Sequence, residues 1–108
     1  MQLNEQKFLI ERIGSVEETK KNRKKYVDVI LRRVAPKDEL GDPIGEDDLF
    51  RVTVWEKDFH KMNGINKGDR VLAQLYVNGR EQLDSNSKIY YSVSFTLKSI
   101  KHFENSSK

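Results

Sequence analysis

The residues with the most chemical potential in this 108-residue chain are its cations, and they are unevenly placed. Lys20, Lys21, Arg23, Lys24 and Lys25 fall within six positions, and Tyr26 follows directly. Positive charge at that density attracts polyanions, and an aromatic ring beside it can stack on a planar group. Further along stand Arg32, then Arg51, Thr53 and Trp55 at alternate positions, then Arg80 and Lys88 in a polar stretch. The acids cluster as well: Asp38, Glu39, Asp42, Glu46, Asp47 and Asp48 lie within eleven positions. Net charge is only +3, so the distribution carries the information and the total does not. Segregated charge gives a nearly neutral chain one face that attracts a polyanion and one that repels it. Either cluster would serve equally well as a solvated loop.

Several chemistries are excluded or disfavoured. With no cysteine the chain forms no disulfide and offers no thiolate to a metal or a redox partner. His60 and His102 have no second ligand at metal spacing, and Asp38-Glu39-Leu40-Gly41-Asp42-Pro43 does not match a calcium loop. No nucleophile elbow, phosphate-cradling glycine loop or acid–base–nucleophile set stands out, so neither an enzyme nor a cofactor is expected. No apolar run approaches the ~20 residues of a membrane helix. The first seven residues lack the pattern of a secretory signal, so the cytoplasm is the expected compartment.

Alternation supplies the elements that would position these groups. Lys7–Glu18 is apolar at Phe8, Leu9, Ile10, Ile13 and Val16, with Gly14 predicting a bend or bulge. The basic run is then a loop. Tyr26–Val34 alternates, with Val27, Val29 and Leu31 on one face. Ala35–Asp48, rich in acids, proline and glycine, reads as a long exposed loop. Leu49–Trp55 alternates again: Phe50, Val52 and Val54 point inward, and Arg51, Thr53 and Trp55 outward. Glu56–Asn63 is the one helix, with Phe59 and Met62 on a shared face and Gly64 as its stop. Arg70–Val77 alternates into Asn78-Gly79, which predicts a turn opening a loop over Arg80–Lys88. Ile89–Ile100 is the last strand, placing Tyr91, Val93, Phe95 and Leu97 on one face. The domain is expected over 1–103, with 104–108 as a tail.

Three strands, a short helix and two more strands predict a five-stranded OB-fold barrel, with the helix between strands three and four. An SH3-like barrel is the alternative. The expected core is Val27, Val29, Leu31, Val52, Val54, Val71, Ala73, Leu75, Val93 and Phe95. The polar row Ser92, Ser94, Thr96 on the last strand suggests an edge needing a partner, and hence a homo-oligomer.

Phe50-Arg51-Val52-Thr53-Val54-Trp55-Glu56-Lys57, a helix, and then Asn66-Lys67-Gly68-Asp69-Arg70-Val71 resemble bacterial single-stranded DNA-binding proteins over roughly a quarter of the chain. The resemblance implies a module that binds single-stranded DNA or RNA and catalyses nothing. The chain departs from that pattern at Leu49, where those proteins carry an aromatic residue, and at Gln82 and Leu83 in the last loop. It also ends on Asn105-Ser106-Ser107-Lys108, without their acidic tail. An OB barrel binds on the outward face of strands two and three, flanked by its first and last loops. The candidate contacts are therefore Lys20, Lys21, Arg23, Lys24, Lys25, Tyr26, Arg32, Arg51, Thr53, Trp55, Arg80 and Lys88. The competing reading is a protein-interaction barrel in which Trp55 packs on a partner and Arg51 pairs with Asp28.

Overall fold

The computed structural model describes residues 1–103. Five strands form it: β1 (Gln6–Glu18), β2 (Lys25–Arg33), β3 (Asp48–Trp55), β4 (Arg70–Leu83) and β5 (Ile89–His102). They close into a barrel in the order β1-β2-β3-β5-β4, the OB arrangement. The parallel contact that closes it is short, Val52 with Phe95 and Thr53 with Thr96; all other pairings are antiparallel.

The alternation expected from the sequence decides which side chains fill the barrel. Val27, Val29 and Leu31 of β2, Val52 and Val54 of β3, and Val71, Ala73 and Leu75 of β4 are all buried, joined by Phe8, Ile10 and Leu97. Each of the larger aliphatic side chains contributes about 1.5–3 kcal/mol by leaving water. At one end Phe50 meets Phe8 and Phe95 edge-on, with ring centroids 5.6 and 5.2 Å apart. Gly14 does mark a bulge, where the β1–β2 register shifts between Ile13 and Val16. A Cβ at Gly14 would stand 3.0 Å from the Asp28 carbonyl oxygen, so the close approach of β2 favours glycine there.

Two expectations are corrected. Asn78-Gly79 is not a turn: β4 runs through it, pairing Asn78 with Ser94 and Gly79 with Val93 as far as Leu83 opposite Ile89. The reversal comes at Asp84, whose carboxylate accepts the amides of Asn86 and Lys88 at 2.8 and 2.9 Å. That Asx-type turn overrides the Asn-Gly signal because long flanking strands already pair across it. The β4–β5 hairpin therefore projects from the barrel as an arm. Val93, expected in the core, lies on that arm and is exposed, since no other strand covers β5 there; Phe95 is half-buried at the arm's root. The short helix expected between the third and fourth strands is present over Glu56–Met62, wound as a 3₁₀ helix. Three residues per turn still aligns Phe59 with Met62, and both pack on the core. The polar row on β5 divides: Thr96 lies beside Thr53 of β3, and Ser92 and Ser94 sit on the arm. Residues 104–108, the expected tail, lie outside the described residues.

Candidate nucleic-acid interface

The β2–β3 register places the outward residues in facing pairs: Tyr26 with Trp55, Asp28 with Thr53, Ile30 with Arg51 and Arg32 with Leu49. Because the strands are antiparallel, the start of β2 meets the end of β3. The last residues of the basic run are thereby carried to Trp55. Lys24, Lys25, Trp55, Glu56 and Lys57 line an open cleft of ≈ 430 Å³. Beside it the Tyr26 and Trp55 rings lie 5.7 Å apart at a 59° tilt. Both residues are half-buried, so each ring keeps an accessible part while resting on the sheet.

The basic run is a compact turn joining β1 to β2. Thr19 organises it: its carbonyl accepts the Arg23 amide at 3.0 Å, and its Oγ1 accepts the Lys24 amide at 3.1 Å. Arg23 adopts a left-handed backbone, φ 52°, which lets the chain reverse. Lys20, Lys21, Arg23, Lys24 and Lys25 are all exposed, and none has an ion-pair partner among the described residues. Their charges stay available to an external anion.

Further along the face the picture changes. Thr53 Oγ1 donates to Asp28 Oδ1 at 3.3 Å, so Asp28 is engaged by threonine and not by Arg51. Arg51 faces Ile30, is exposed, and has no ion pair among the described residues. Arg32 is different. Its Nε holds Glu11 at 2.8 Å and its Nη1 holds Asp47 at 2.9 Å. These two bonds raise the guanidinium pKa above its ordinary value. The Asp47 carboxylate also accepts the Ala35 amide at 2.7 Å, which pins the start and end of the acidic loop together. Arg32 therefore clasps the loop, with its charge already matched by two carboxylates.

Arg80 and Lys88 stand apart from the cleft. Arg80 lies on the arm opposite Ser92, and Lys88 closes the Asp84 turn at its tip. The arm also carries aromatics that stand outside the candidate contacts named from the sequence. Tyr90 faces Gln82, its hydroxyl donating to Gln82 Oε1 at 2.5 Å, and Tyr91 faces Glu81 with 76% of its surface exposed. Gln82 and Leu83 stand where the resemblance calls for an aromatic; across the ladder Tyr90 of the return strand lies opposite Gln82. Lys57 enters the sequence reading only within the resemblance and not among the candidate contacts, although a cation two residues beyond an outward Trp55 is a signal that could find it.

No family profile and no curated protein matches the sequence. Solved structures do match. The chain is similar to an SSB of Plasmodium falciparum in complex with ssDNA, at 18% identity and TM-score 0.56, covering 94% of this chain and 96% of that one. It is similar to a mitochondrial single-stranded DNA-binding protein of S. cerevisiae at 17% identity and TM-score 0.58, with the same coverage of 94% and 96%. A small single-stranded DNA-binding protein of Streptomyces coelicolor matches at 16% identity and TM-score 0.56, again covering 94% and 96%. The fold is the OB barrel these proteins share. The likeness extends over almost the whole of each chain. No helix among the described residues is long and apolar enough to cross a membrane.

Proposed function

We propose that this chain is a non-catalytic module that binds single-stranded nucleic acid, with single-stranded DNA the first candidate. The observation that carries the proposal is the cleft at the end of β2 and β3. A tilted Tyr26–Trp55 pair sits there beside Lys24, Lys25 and Lys57. Unpaired bases expose both ring faces and stack on such residues for about 1–3 kcal/mol each. Paired bases in a duplex do not, so an aromatic cleft favours single strands. The free cations of the β1–β2 turn follow the phosphates, an attraction indifferent to base identity. Arg51 and Thr53 continue the track along β3. Arg80, Lys88, Tyr90 and Tyr91 flank it on the arm. Arg32 is left out, because neutralising a phosphate would require it to give up Glu11 and Asp47. The shared fold supports this reading: the three similar structures are single-stranded DNA-binding proteins, one of them in complex with ssDNA.

The test is a salt titration of binding to a fluorescent oligo-dT, with oligo-U and duplex DNA alongside. Binding to the single strands, weakening linearly in log salt and exceeding duplex binding at every salt, is the expected result. Equal affinity for single strand and duplex would leave only charge attraction and defeat the proposal.

A further inference from the structure

The opposite end of the barrel carries a second cleft that the nucleic-acid reading does not use. It measures ≈ 490 Å³, within the ~300–1,000 Å³ of ligand-sized clefts. Its walls are mostly apolar, with Val34 and Phe103 among them; beside Arg32, whose charge Glu11 and Asp47 already match, the cations Lys7, Lys37 and Arg70 line it at the rim. None of these three cations has an ion-pair partner among the described residues; Lys7 rests over the Phe103 ring at 4.5 Å. The cleft is thus greasy inside and positive at the edge.

Beside it rises a feature of the opposite character. The acidic segment is folded, not slack. Lys37 bridges Pro43, the Asp38 amide donates to the Asp42 carbonyl at 2.8 Å, and Asp38 Oδ1 accepts the amides of Leu40 and Asp42, each at 2.9 Å. Gly41, at φ 86°, completes the reversal in a conformation a side chain would disfavour. This small hairpin holds Leu40 at its tip with 87% of its surface exposed. On either side stand Glu39 and Asp42, whose carboxylates have no ion-pair partner among the described residues. Ordering an apolar tip in water brings no hydrophobic gain to the isolated chain. An occupant for the cleft needs an apolar group flanked by acids, and the hairpin has that composition.

We propose that the Leu40 hairpin of one copy seats in the Lys7–Lys37–Arg70 cleft of a second copy, and the reverse. Lys37 belongs to both features, so hairpin and cleft share one end of the barrel. Two copies related by a two-fold axis can therefore exchange hairpins in a closed, self-complementary contact. Leu40 supplies the buried anchor, and Glu39 and Asp42 meet the rim cations. The nucleic-acid cleft at Trp55 stays outside the contact, so self-association needs no nucleic acid and is measured without it.

Sedimentation velocity of the full chain over a concentration series reads the association directly. A concentration-dependent dimer is expected, and L40D should weaken it at least about tenfold, the loss typical of removing a central anchor. Leu40 is too exposed for that change to unfold the barrel. Two charge reversals decide the pairing: E39K with D42K, and K7E with R70E. Each reversed chain should be monomeric alone, facing its own sign across the axis. Mixed in equal amounts they should form a heterodimer, because each then meets its complement. A wild type that stays monomeric at the highest attainable concentration overturns the proposal. So does an L40D dimer as tight as the parent, and so does a mixture that remains monomeric.

Discussion

Tyr26 and Trp55 face each other across the β2–β3 ladder with their ring centroids 5.7 Å apart, so the two aromatics form one surface. W55A should weaken oligo-dT binding by about 1–3 kcal/mol and leave the salt slope nearly unchanged, because stacking releases no counterions. Y26A should weaken it less. The double variant should lose less than the sum, since each ring orients the other. Fluorescence anisotropy across a salt series measures all three. A folded W55A chain with the parent's affinity removes Trp55 from the interface.

The β1–β2 turn should account for the salt dependence. Replacing Lys20, Lys21 and Lys24 by glutamine should lower the magnitude of the log K against log salt slope, by about 0.7 for each phosphate no longer neutralised. These side chains hold no partner among the described residues, so the melting curve should stay close to the parent's. A slope that does not change places the phosphate track elsewhere.

Much of the barrel was legible from the sequence because burial imposes a period of two that no other element shares. Val27-Val29-Leu31 and Val52-Val54 could not be shifted by one residue without turning the core outward. Register then carried Lys24 and Lys25 to Trp55, a relationship already implicit in two antiparallel strands. The arm was illegible for a physical reason. Asn78-Gly79 is a strong local turn signal, and only the pairing of Arg80–Leu83 with Ile89–Ser92 overrides it. Val93 shows the same limit: its alternation is that of a core residue, but the barrel ends before reaching it. Arg32 could not be judged from the sequence either. Its outward position suggested a phosphate contact, and only the fold supplies its partners, Glu11 from the neighbouring β1 and Asp47 from the acidic loop.

The arm should be separable from the barrel. Replacing residues 80–92 by a two-residue Asn-Gly turn keeps the Val77–Phe95 pairing at the root of the arm. The expected product is a folded barrel without Arg80, Lys88, Tyr90 and Tyr91. Its single-strand affinity should fall and its salt slope should shrink, while its circular dichroism and melting remain close to the parent's. Loss of cooperative melting would mean that the arm supports the barrel, contrary to its exposure.

Arg32 should govern acid stability and not nucleic-acid binding. Glu11 is held below its ordinary pKa chiefly by its hydrogen bond from Arg32, and Asp47 by the Ala35 amide and then by Arg32. Asp69 is lowered in the same way, by the Asn66 amide and then by His102. A carboxylate with a depressed pKa in the folded state stabilises the fold above its unfolded pKa, and that contribution drains as pH falls through the folded value. The melting temperature should therefore be level from neutrality to about pH 5 and decline steeply below about pH 4, where unfolded carboxyls take up protons first. R32Q removes the principal cause for Glu11 and part of the cause for Asp47. Its melting temperature should lie below the parent's at pH 7, and the two should converge as both carboxylates protonate. Since the Arg32 charge is already matched, R32Q should also bind oligo-dT with an unaltered salt slope. Thermal melts followed by circular dichroism from neutral pH to about pH 2.5, below the carboxylate range, test the first claim. A gap between the chains that persists undiminished at the acid end would assign the Arg32 contribution to packing, and a flattened slope would return Arg32 to the interface.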